Sequence, residues 1–121
     1  MKPRLSGEEF DACVEEAMGQ VPAAFRRYIE NVVVIVEEEP AVEDYEETDT
    51  PDDEELFGIF RGIDVFDRQA AVSHLPGQIA IFRGPILRMC RNKGEAVREI
   101  RDTVVHEIGH LLGLSDEEMP Y

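Results

Sequence analysis

The chain has 121 residues, enough for one compact domain and too few for two ordinary ones. It carries 12 Lys and Arg against 27 Asp and Glu, a formal net charge of −15; Glu37 to Glu55 holds 12 of those acids and no base, which leaves 15 acids against 12 bases elsewhere. A near-neutral domain with one acidic insert has no basic face for nucleic acid or for an anionic membrane, and neither is expected as a partner.

The N-terminus, Met1 to Ser6, has no apolar stretch behind its two bases, so no secretory signal is expected. Ser6-Gly7-Glu8-Glu9 reads as a capping box. Phe10, Cys13, Val14, Ala17, Met18 and Val21 then recur at helical spacing, and the helix ends near Gly19. Pro22 suits the first turn of a shorter helix whose apolar contacts are Phe25, Tyr28 and Ile29.

Val32 to Val36 is β-branched throughout and reads as a strand buried on both faces. It is also the longest apolar run, far short of the roughly 18 residues that suggest a transmembrane helix. Residues 37–55 show no periodicity and read as a mobile acidic insert. Three roles stand open for it: a solvating loop, an electrostatic selector for basic peptides or a basic partner, and a flap over a site. Leu56 to Arg61 is a second strand, in which Gly58 marks a bulge or a close backbone approach. Residues 63–77 read as loop and turn. Gln78 to Arg83 alternates, with Ile79 and Ile81 on one face, and reads as a half-exposed edge strand.

Gly84-Pro85 ends that strand, and a short helical turn follows over Ile86 to Cys90. From about Glu95 to Leu112 the period is helical, with Val97, Ile100, Val104, Ile108, Leu111 and Leu112 on one face and Gly113 as the terminating residue. Cys13 and Cys90 make neither a disulfide framework nor a paired-Cys metal motif; buried inert thiols in a cytoplasmic protein are the expectation.

The last helix contains His106-Glu107-Ile108-Gly109-His110, an H-E-x-x-H motif. Histidines four apart stand one above the other on one helical face, away from the core positions, so both imidazoles can reach one ion. Glu107 sits beside the first histidine, where it can take a proton from a water that zinc acidifies and pass it to a leaving amine. The string continues to Gly113 and Asp116, giving H-E-x-x-H-x-x-G-x-x-D. A reversal at Gly113 can bring Asp116 back as a third, carboxylate ligand. Two histidines, a carboxylate and an open position form the catalytic type of zinc site. The plain alternative, a solvated helix with two incidental histidines, leaves the spacing of Gly113 and Asp116 without a reason.

HEIGHLLGLSD, with LFGIFRGI, GQIAIFRGPIL and the closing GLSDEEM, resembles the bacterial mini-zincin or zincin-like metallopeptidase family, of the type whose third ligand is Asp. The likeness is good over residues 56–119. It implies a minimal α+β domain over residues 1–121, a small mixed sheet packed on two N-terminal helices and a C-terminal active-site helix. It implies one zinc per chain held by His106, His110 and Asp116, with Glu107 catalytic. In zincins an edge strand above the active-site helix binds the peptide by strand addition, and the matching residues are Gln78, Ile79, Ala80, Ile81 and Phe82. The implied activity is zinc-dependent peptide-bond hydrolysis on a peptide or protein substrate. The alternative is a zinc-binding interaction module without turnover.

The sequence given ends five residues after Asp116, where larger zincins continue into the lower wall of the cleft, so the expectation is either a small or extended substrate, or a partner chain or dimer that supplies the missing wall. Met119 reads as a packing residue. His74 reads as an exposed loop histidine, with a place at the cleft rim as the alternative. Spacing selects none of Tyr28, Tyr45 and Tyr121 as an oxyanion donor.

Overall fold

The computed structural model describes residues 5–29, 32–48, 50–51, 53–61, 77–111 and 114–118; the side chains of residues 27–29, 110, 111 and 116 are outside that description. The described residues form α1 (Gly7–Gly19), α2 (Ala23–Ile29), β1 (Val32–Glu37), α3 (Val42–Thr48), β2 (Gly58–Arg61), β3 (Gly77–Phe82), α4 (Arg83–Met89) and α5 (Lys93–Leu111), with a 3₁₀ turn at Asp116–Glu118. This is the expected α+β architecture.

Local chemistry sets the helix starts. The Ser6 hydroxyl accepts from the Glu9 N–H at 3.1 Å while the Ser6 N–H donates to the Glu9 carboxylate at 3.0 Å, the reciprocal capping box that the sequence signals. Asn92 caps α5, its side-chain oxygen accepting from the Glu95 N–H at 2.9 Å. The helix therefore begins two residues before the start read from periodicity, behind a Gly94 that weakens the helical signal.

The sheet order is β1-β3-β2, with β1 parallel and β2 antiparallel to β3. The central strand is thus Gly77–Phe82, which corrects the edge assignment made from its alternation. Gln78, Ile79, Ala80, Ile81 and Phe82 have β1 on one side and β2 on the other, so their backbone cannot take a substrate by strand addition. Ile79, Ala80, Ile81 and Phe82 are all fully buried; the polar Gln78 and Arg83 at the two ends had created the half-exposed pattern. Val32 to Val36 is likewise corrected. It lies at the edge of the sheet, with Val33 47% and Val36 37% exposed.

The main core joins Phe10, Cys13 and Ala17 of α1 to Ile79 and Ile81 of β3 and to Ala96, Val97, Ile100, Val104, Val105 and Ile108 of α5. A smaller cluster of Ile59, Ala80 and Phe82 covers the other face of the sheet. Residues on both faces of β3 are therefore sequestered, as a central strand requires.

Part of the acidic insert is regular structure. β1 runs through Glu37 and α3 spans Val42–Thr48. Three arginines tie this segment down: Arg61 to Glu37 and Asp44, Arg83 to Glu38, and Arg88 to Glu39 and Glu55. A dense run of like charges repels itself, and these ion pairs offset that repulsion. Residues 63–76 of the expected loop, with His74, are outside the described residues. No helix among the described residues is long and apolar enough to cross a membrane.

Candidate active site

β2 carries the edge that faces α5. The Phe82 N–H donates to the Phe57 carbonyl at 2.8 Å, so residues 57, 59 and 61 turn their backbone groups toward β3. Gly58 and Phe60 turn theirs outward. The outward N–H of Phe60 donates to Glu107 Oε2 at 2.9 Å, bridging 47 residues of sequence between strand and helix. A charge-assisted bond of this length fixes a carboxylate well.

Between β2 and α5 lies an open cleft of about 370 Å³ lined by Glu55, Leu56, Phe57 and Gly58 on one wall and Glu99, Asp102, Thr103, His106 and Glu107 on the other. His106 and Glu107 are half-buried in it, while Val105 and Ile108 beside them are buried in the core. The helical period thus separates the chemistry-bearing face from the packing face, as the sequence indicated. His110 falls one turn further along the His106 face of the α5 backbone. Past the helix, the Leu114 N–H donates to the Gly109 carbonyl at 2.9 Å, a backward bond of the kind that closes a helix before a reversal. Asp116 opens the 3₁₀ turn beyond it, and Gly113 is outside the described residues.

Among the described residues no group of three metal-ligating side chains stands together, and the side chains of His110 and Asp116 are not among them. The structure therefore brings His106 and Glu107 into one cleft and places Gln78 to Phe82 elsewhere. Met119 and Tyr121 lie outside the described residues.

The cleft is acidic. The Asp102 carboxylate accepts from Arg101 at 2.9 Å, and Glu55 accepts from Arg88 at 2.7 Å. Burial pushes the Glu99 carboxyl above its usual range; neighbouring Asp102 adds to the effect and His106 opposes it. Sequence reasoning missed Glu99, Asp102 and Thr103 as wall residues, although their offsets from His106 of seven, four and three residues put them on its face. The Phe60 amide carries no sequence signal, because the contact is made by backbone. Cys90 is buried, and its thiol is pushed up to about 11, first by burial and then by Glu99 and Glu95, as expected of an inert thiol.

A small mixed sheet thus packs on the helix that carries the H-E-x-x-H motif, and its β2 edge holds the motif's glutamate. A family model described as "Zincin-like metallopeptidase" matches residues 29–121. The chain belongs to the zincin-like metallopeptidase family, which implies zinc binding in general. Among solved structures it is similar to a conserved hypothetical protein from Thermo thermophilus, with a TM-score of 0.57 and 21% identity over 89% of this chain and 94% of that one. That likeness shows the fold. No curated protein matches the chain.

Proposed function

We propose that the protein is a zinc-dependent peptidase. The observation that carries this reading is the Glu107 carboxylate held at 2.9 Å on the β2 edge, in the same cleft as His106. His106, His110 and Asp116 would hold one zinc per chain: two neutral nitrogens and a carboxylate suit that ion, and His106 meets the cleft as a half-buried side chain. Zinc supplies Lewis acidity there, polarising a carbonyl and lowering the pKa of water toward about 7. Glu107 takes the proton of the attacking water on its carboxylate and returns it to the nitrogen of the leaving amine.

The substrate lies along residues 55–57, the segment that leads into β2 and lines the cleft, which replaces 78–82 as the segment that aligns it. This segment meets the cleft directly, with Glu55, Leu56 and Phe57 half-buried along one wall. Two buried free thiols fit a cytoplasmic, reducing compartment.

Metal analysis tests the site: one zinc per chain in wild type, lost in His106→Ala. A peptide-library digest, with and without cell lysate as a source of a completing partner, tests turnover against Glu107→Gln. Zinc binding with equal, negligible cleavage by both chains would establish the interaction module instead.

A further inference from the structure

We propose that Gly58 and Phe60 are positioning residues for Glu107, the edge of β2 being the template that sets where this carboxylate stands. The kinetic consequence rests on the peptidase reading; the contact itself does not.

Two of the contacts between β2 and α5 have matching spacings. Phe60 donates its N–H to Glu107, and Gly58 lies against Thr103. Gly58 and Phe60 are two strand residues apart, about 6.6 Å. Thr103 and Glu107 are four helix residues apart, about 6 Å. One strand step of two residues therefore falls alongside one helical turn, and the two elements meet at both points.

The first contact holds only for a glycine. A Cβ on residue 58 would stand 2.6 Å from Thr103 Cγ2 and 2.9 Å from the Ala80 carbonyl oxygen. Neither neighbour can withdraw, one being a β-branched side chain on a long helix and the other the backbone of the central strand. A second close approach seats Phe60 itself, whose ring fills the space a Cβ on Gly77 would occupy. Residue 60 is thus held by its ring on β3 and by its amide on Glu107. A larger residue at 58 levers β2 away from α5 at Thr103 and draws the Phe60 N–H off the carboxylate.

Three measurements on the zinc-loaded protein test this. Hydrogen exchange at the Phe60 amide, which points away from β3, should accelerate at least about tenfold in Glu107→Ala, while the Ile59 amide, turned toward β3, stays protected. Gly58→Ala should lower kcat by about 10- to 100-fold, with KM within about threefold and zinc content unchanged, because a misplaced general base slows chemistry and leaves binding intact. Adding Thr103→Ser, which deletes Cγ2, should restore part of that loss. Replacing Phe60 by its α-hydroxy analogue removes the N–H without altering packing and should lower kcat alike. Unchanged Phe60 exchange in Glu107→Ala, or full kcat in the ester variant, overturns the proposal. If wild type cleaves no peptide, the peptidase reading falls and the exchange result alone decides the positioning role.

Discussion

Arg61→Met should cost the fold about 2.5 kcal/mol, and each part of that figure comes from one contact. The guanidinium donates to both Glu37 oxygens at 2.8 and 2.9 Å and to both Asp44 oxygens at 3.1 and 3.0 Å. Glu37 is 36% exposed and its pair is worth roughly 0.5 kcal/mol. Asp44 is different: its side chain is 7% exposed, and it also accepts from the Ala41 N–H at 2.8 Å. Breaking a fully buried pair costs about 3–5 kcal/mol. Arg61 is itself 30% exposed, so water follows into the vacated space and about 2 kcal/mol is the better figure. The guanidinium also stands 6.0 Å from the Phe82 ring centre, the limit of a cation–π contact, and this adds little. With an unfolding entropy of about 2.1 cal/mol/K per residue, the loss lowers Tm by about 10 °C. Calorimetry on wild type, Arg61→Met, Asp44→Asn and the double variant gives the coupling, expected at about 1.5 kcal/mol. A drop below about 3 °C for Arg61→Met, or strict additivity in the double variant, would refute the buried-clamp argument.

Stability should fall on the acid side for an identifiable reason. Hydrogen bonds from Arg61 hold the Glu37 carboxyl below the usual carboxylate range, and those from Arg88 do the same for Glu39, partial burial opposing both. A depressed folded pKa contributes stability that is present above the unfolded value of about 4.3 and is lost as pH falls through the folded value. Tm should therefore be flat near neutrality and fall below about pH 4, less steeply in Arg61→Met and Arg88→Met; equal slopes would dismiss the assignment. Ser6→Ala removes one half of the capping box and should cost about 1 kcal/mol in denaturant melts. Cys90 should react with a thiol reagent at about pH 7 only after denaturant is added, and rapid native labelling would contradict its burial.

Helices and the site motif were legible in the sequence, and strand neighbours were not. α1 could be read because the Ser6–Glu9 box and the apolar positions Phe10, Cys13 and Ala17 are all local signals. The face of α5 was readable for the same reason. A strand records only which of its faces are covered; what lies beside it is set by residues far away. Val32 to Val36 is uniformly apolar yet lies at an edge, and Gly77–Phe82 has a polar second residue yet lies at the centre. The ordered part of the acidic segment has no local signal in the sequence, because the arginines that hold it are scattered at positions 61, 83 and 88. Of the two readings that Gly58 offers in the sequence, a bulge or a close backbone approach, the structure shows the close approach, against Thr103.

The corrected strand order changes what the motif needs from the rest of the chain. An H-E-x-x-H helix supplies donors, but a general base works only from a defined position. With β3 in the centre, the outward edge beside α5 belongs to β2, and β2 is where the glutamate is anchored. The same strand ends in Arg61, whose guanidinium holds Glu37 and Asp44 of the acidic segment. The acidic segment also closes on Glu55, which lines the cleft and accepts from Arg88. Among the described residues, five of its acids are thus engaged by three arginines, and the strand carrying Gly58 and Phe60 is fixed at its far end by two of those acids, Glu37 and Asp44. Part of the acidic segment, Glu37 and Asp44, therefore acts through Arg61 as a brace for the edge that holds Glu107.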